Sequence, residues 1–144
     1  MPTAFFEADT PEPCPIVFGG DTADLVYFLS FAFSARYGAQ HELTSLALRL
    51  RGGDDKIDLT PLLTFADRNP EDPADTRELE RVWQDAAPLA ECCRRVVEAL
   101  DRGDAGVLRT LERYPDLRDR IDDLRRMAEW AAARGARVRI TFEL

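Results

Sequence analysis

One histidine, three cysteines and an arginine-dominated set of 19 basic residues bound the chemistry open to this 144-residue chain. His41 stands alone in Gln40-His41-Glu42, inside a loop predicted over residues 38–42. A histidine-based triad or a two-histidine metal site is therefore excluded within one chain. A single imidazole can still move a proton if a carboxylate or reacting group is in reach, and Glu42 is its neighbour. The simpler expectation is a solvated loop histidine.

Cys92 and Cys93 precede Arg94 and Arg95, and nearby cations would lower a thiol pKa and raise its reactivity. Against that, Cys93 falls at the centre of an apolar helical stripe and Cys92 at its edge, where cysteine behaves as a small hydrophobe. Packing is the expectation, with slow reaction in the folded state. Vicinal cysteines lack the gap of a zinc pattern and Cys14 sits between prolines, so no metal and no cofactor is assigned. Gly19-Gly20-Asp21 and Gly52-Gly53-Asp54-Asp55 have the composition of phosphate or cation loops. Neither has the glycine and lysine spacing of a nucleotide loop or the spaced acids of a calcium loop, and both read as turns.

Arginines on the polar side of predicted strands carry the least ordinary signal: Arg36, Arg49, Arg51, Arg137 and Arg139. If those strands share a sheet, guanidinium forks suited to carboxylates and phosphates gather on one face. The competing reading is a solvated sheet face with cross-strand pairs, Arg49 with Asp58 among them. Tyr27 and Tyr37, with Phe31 and Trp83, are the candidate walls of a pocket between sheet and helices. Trp130 lies off the stripe of its own helix and is the candidate interface anchor.

The elements that must position these groups change period midway. Ala4, Phe6 and Ala8 alternate as a first short strand, prolines 11, 13 and 15 force an extended connection, and Ile16–Phe18 reads as a second short strand. Leu25–Tyr37 alternates with Leu25, Tyr27, Leu29, Phe31, Phe33, Ala35 and Tyr37 on one face, which favours a strand. The competing reading is a helix capped by Asp21 or Thr22 and stopped by Gly38 in the left-handed conformation. Thr44–Arg51 alternates as well, and with Lys56–Leu59 it predicts an antiparallel hairpin placing Leu50 opposite Ile57, Leu48 opposite Leu59 and Arg49 opposite Asp58. Thr60-Pro61 predicts a helical turn over Leu62–Ala66, and the polar stretch 67–74 is a joint.

Beyond the joint the period is helical. Asp75 with Glu78 reads as a capping box. The stripe from Leu79 to Leu100 predicts one helix kinked at Pro88. A short helix carries Val107, Leu108 and Leu111, and a third, opened by Asp116 and closed by Gly135, carries Leu117 to Ala131. Arg137–Leu144 alternates as a returning strand with Val138, Ile140, Phe142 and Leu144 inward. The order predicts a single α+β domain over 1–144: a sheet-forming region over residues 1–66, the joint 67–74, a helical region over 75–135 and a final strand 137–144. Its largely antiparallel sheet would be covered on one face by two long helices and one short one.

The formal net charge is −8. Met1–Asp72 holds 12 acidic and 5 basic residues and the remainder 15 and 14, so the acidity belongs to the first half. Such a balance argues against nucleic acid or an anionic membrane as partner. The N-terminus lacks the basic start and apolar segment of an export signal, no run is long enough to span a membrane, and the odd cysteine count fits a reducing cytoplasm. The expected function is a non-catalytic protein-interaction or regulatory domain, its partner another protein or a second copy in a homodimer joined through an exposed strand edge or Trp130. The alternative is a domain binding a small anionic ligand between sheet and helices.

Overall fold

The computed structural model describes residues 2–38, 40–73 and 76–144. Ala39 in the expected loop, Ala74 of the joint and Asp75 of the expected capping box lie outside the described residues. The elements run β1 (Thr3–Ala8), α1 (Ala23–Ser34) continuing into a 3-10 turn (Ala35–Tyr37), α2 (Glu42–Gly52), β2 (Phe65–Asp67), α3 (Thr76–Arg81), β3 (Gln84–Asp85), α4 (Ala86–Asp101), α5 (Ala105–Arg113), α6 (Leu117–Ala132) and β4 (Arg137–Glu143).

The last strand is the middle of the sheet. β1 pairs antiparallel along one side of β4, with Phe6 opposite Ile140 and Glu7 opposite Arg139. The other side is shared by β2, parallel at Ile140–Phe142, and β3, antiparallel at Arg137 and Val138. The sheet is thus mixed, not largely antiparallel. Helices α1 and α6 contact β1, α6 also contacts β4, and α4 packs on α6. Ala4, Val138 and Ile140 join the core from the sheet, whereas Leu144, expected inward, is 83% exposed.

The predicted strands Leu25–Tyr37 and Thr44–Arg51 are helical. Buried Leu25, Phe28, Leu29 and Ala32 recur at three- and four-residue spacing along α1. Nearly every side chain there is apolar, so periods of two and 3.6 fit equally, and only Val26 in the helix is β-branched. The stop is the left-handed Gly38, φ 81°, whose N–H donates to Ala35 C=O. Thr22 stands at the N-cap, but its Oγ1 accepts from Ala4 N–H at 2.9 Å, and Asp21 Oδ1 takes Ala23 N–H at 2.8 Å. In α2 the buried apolar residues are Leu43, Leu46, Ala47 and Leu50, a helical spacing, with Thr44 buried beside them. Leu48, 51% exposed, is what completes the false alternation with Leu46 and Leu50.

There is consequently no hairpin. Gly53 N–H donates to Arg49 C=O, Lys56 turns the chain at φ 46°, and Ile57 N–H meets Leu50 C=O at 2.9 Å. Leu50 and Ile57 are neighbours, but through the return of an extended segment that buries Ile57 and Leu59. Asp58 Oδ1 holds Thr60 N–H and Oγ1 instead of facing Arg49. The turn after it is short, and Phe65–Asp67, expected partly as helical turn and partly as joint, enters the sheet. Ile16–Phe18 forms no strand.

The expected kinked helix is two helices separated by an extended Gln84–Asp85. Pro88 falls in the first turn of α4, where a missing N–H leaves no helical bond unmade. The stripe nevertheless continues, with Val82, Ala86, Leu89, Cys93, Val96 and Leu100 all buried. Helices α5 and α6 lie where the sequence puts them. Asp104 Oδ1 caps α5 through Gly106 and Val107 N–H, and α6 ends at Gly135, φ 64°, with Ala136 N–H returning to Ala131 C=O.

Candidate functional site

Among the described residues β1, β2 and β3 each pair only with β4, and β1 is the longest of these edge strands. Asp9 N–H donates to Arg137 C=O at 2.8 Å, and with the antiparallel register this assigns the odd residues of β1 to the ladder with β4. The main-chain groups of Ala4, Phe6 and Ala8 therefore turn outward. Thr22 Oγ1 takes Ala4 N–H, and Thr10 N–H donates to Ala8 C=O at 3.0 Å. The N–H and C=O of Phe6 lie between these two closed ends.

Next to that edge runs the strap 10–18. Its three prolines cannot donate to a ladder, so the chain leaves the sheet instead of adding a strand. Between β1 and the strap is a cleft of about 520 Å³, bounded by Phe6 and Ala8, by Cys14 and Phe18 of the strap, by Met127 of α6 and by Trp83. The strap is tied down by an ion pair from Glu12 to Arg134 Nε at 3.2 Å. Cys14 Sγ lies 3.5 Å from Ile16 C=O within the strap.

Glu7 is the charged β1 residue on the cleft. Its Oε2 accepts from Arg139 Nε at 3.0 Å and from Nη2 as well. The same guanidinium lies 4.5 Å from the Trp83 ring centroid and donates to Leu79 C=O at 2.9 Å. The sheet face expected to be wet is thus partly roofed by residues 79–83, and Thr141 behind it is fully buried with Oγ1 unpaired.

The arginines do not gather on that face. Arg36 is in the 3-10 turn after α1, its guanidinium 4.6 Å from the Phe33 ring. Arg49 and Arg51 are on α2; Arg49 forks onto Asp104 at the start of α5, not onto Asp58. Only Arg137 and Arg139 remain on a strand, because the others depended on strands that are helices. Tyr27 and Tyr37 are exposed and Phe31 is stacked on His41, so of the four aromatic residues expected to wall one pocket only Trp83 borders the cleft. Trp130 is half-buried against the core, with Arg134 4.1 Å over its ring.

The remaining candidates have structural work. His41 is the N-cap of α2: its Nδ1 accepts from Leu43 N–H at 3.1 Å, and its ring stacks on Phe31 at 3.8 Å. An accepting Nδ1 assigns the neutral ring's proton to Nε2, which faces the Tyr114 hydroxyl at 3.5 Å. Cys92 and Cys93 are buried; burial pushes the Cys92 thiol up to about 12 and Cys93 well above its usual range. The Gly19-Gly20 turn lies on the ion pair of buried Arg120 with partly buried Asp123. Gly19 N–H donates to Asp123 Oδ2 at 2.8 Å, and a Cβ on Gly20 would stand 2.6 Å from an Arg120 guanidinium nitrogen. Arg120 Nε is 3.2 Å from Asp123 but off the hydrogen-bond axis. Among the described residues, no group of three His, Cys, Asp or Glu side chains is placed to hold a metal ion.

Phe6, Glu7, Phe18 and Met127 are among the cleft residues that sequence reasoning did not single out. The available signal was the proline run directly after a short strand, which marks an edge that the chain itself does not extend. No helix among the described residues is long and apolar enough to cross a membrane. Comparison with protein-family models, curated protein sequences and solved structures finds no match.

Proposed function

We propose that the protein is a non-catalytic interaction domain of the cytoplasm that takes an extended protein segment along the outer edge of β1. The observation that carries this reading is the outward-turned main chain of Phe6 beside a cleft lined by both apolar and polar residues. Strand addition supplies affinity through main-chain hydrogen bonds, and the flanking pockets supply selectivity. A cleft of about 520 Å³ has room for a few residues of such a segment. The three free cysteines fit a reducing compartment. A homodimer joined through β4 does not belong to this reading, since β4 is paired on both sides. The anionic-ligand alternative loses its support with the dispersal of the arginines, and the acidic residues lining the cleft are Glu7 and Glu12.

The test uses an acetylated, amidated hexapeptide alternating threonine and valine, added to the isotope-labelled protein. The Phe6 and Ala8 amide resonances should shift, and their hydrogen exchange should slow. Ala8→Pro removes an outward N–H while sparing the ladder to β4, and should abolish both effects at Phe6. Perturbations confined to other surfaces, with Phe6 and Ala8 unmoved, would overturn the reading.

A further inference from the structure

From the pairing that β1 already makes, we infer that its outer edge selects extended segments alternating basic and apolar residues. This rests on the strand-addition reading above. Side chains of a strand stand perpendicular to the sheet, so those of β1 are shared by the strands on its two sides. Along Phe6-Glu7-Ala8-Asp9 they alternate apolar and acidic.

The inner neighbour shows what that alternation accepts. β4 sets Ile140 against Phe6, Arg139 against Glu7 and Val138 against Ala8, and Arg137 C=O takes the N–H of Asp9. Basic side chains thus face acidic ones on one side of the sheet, and apolar side chains meet on the other. An outer strand in matching register meets the same rows. Its apolar residue opposite Phe6 would sit toward Met127 and Phe18, which border the cleft. Its basic residue opposite Glu7 has an acceptor left, because both Arg139 contacts fall on Oε2 and not on Oε1. Asp9, exposed at the end of the strand, extends the acidic row. Glu12, on the strap wall, is already paired with Arg134 and leaves Glu7 and Asp9 as the acidic row. An acidic segment would meet these carboxylates with like charge.

Three hexapeptides of one design separate the inference from the reading beneath it: arginine alternating with valine, glutamate with valine, and threonine with valine. Titration followed at the Phe6 and Ala8 amides should rank them in the order arginine, threonine, glutamate. The first should bind about tenfold more tightly than the last, with the gap narrowing as salt is added. Asp9→Asn, at an exposed position, should weaken the arginine peptide about two- to fivefold and leave the threonine peptide unchanged. Equal affinity for all three peptides would overturn the inference and leave the edge reading standing. Failure of all three to bind would overturn both.

Discussion

The α4–α6 pair and the outer edge of β1 are both built from apolar residues, yet the first is closed and the second is not. Leu89, Cys93 and Val96 of α4, with Ile121, Leu124 and Ala128 of α6, have no exposed surface. Each helix satisfies its own main chain, so two apolar faces can meet with nothing left over. A strand satisfies only the side on which it has a partner. The outward groups of β1 are met by a threonine hydroxyl at Ala4 and a turn at Ala8, and the strap stands off between them. Apolar character alone therefore does not close a surface; the main chain has to be paired too.

The largest expected effect lies in the closed region. Leu124→Ala should cost about 2–5 kcal/mol in denaturant unfolding, because α4 and α6 leave no room to collapse around the lost side chain. Ala8→Pro at the open edge should cost less than about 1 kcal/mol in the same assay. Equal losses would break the comparison, since the edge would then be structural.

Cys93→Ser should cost about 1–3 kcal/mol by leaving a hydroxyl unsatisfied between the helices. In the native protein Cys92 and Cys93 should react with a thiol reagent far more slowly than Cys14 of the strap, and all three quickly after denaturation. The sign with pH follows from the raised thiols: the native state favours the protonated form. The Cys92 contribution is intact below its usual 9.0 and is lost as pH rises toward about 12, so the melting midpoint should fall over that window.

Amide exchange sharpens the contrast within one strand. Phe5 and Glu7, whose N–H groups lie in the ladder, should exchange slowly, and Phe6 and Ala8 quickly. Uniform protection along β1 would show that the outer edge is already satisfied. The smallest effect concerns Asp104, whose carboxyl is held down at about 2 by the hydrogen bond to Arg49, with help from the Val107 N–H. Its contribution is present above its usual 3.8 and is lost as pH falls toward about 2. Asp104→Asn should remove that acid dependence with little change near neutrality, because the pair is exposed.

Much of the second half was legible in the sequence. Asp116 and Gly135 bracket α6, and the spacing of Leu117, Ile121, Leu124 and Ala128 has only one regular solution. The first half was ambiguous in its own terms. α1 is apolar at too many positions for a period to show, and in α2 one exposed leucine, Leu48, imitates a strand. The site expected from the arginines disappears with those strands, since the grouping of Arg36, Arg49 and Arg51 depends on alternation that the helices do not have. The cleft was not legible at all: β1 could be recognised as a strand, but nothing local says which of its edges is paired.

By itself the sequence determined the features whose causes lie within a few residues. These are the turns at glycine and proline, the helical stripe that buries both vicinal cysteines, and the alternation that makes β1 and β4 strands. Only the tertiary structure decided that the last strand lies in the middle of the sheet, that His41 caps a helix under Phe31, and that Phe6 keeps an open edge. Strand order and edge exposure follow from pairings between residues far apart in the chain, such as Glu7 with Arg139 and Phe65 with Ile140. The free energy of such contacts depends on every element packed between them, which no local pattern records.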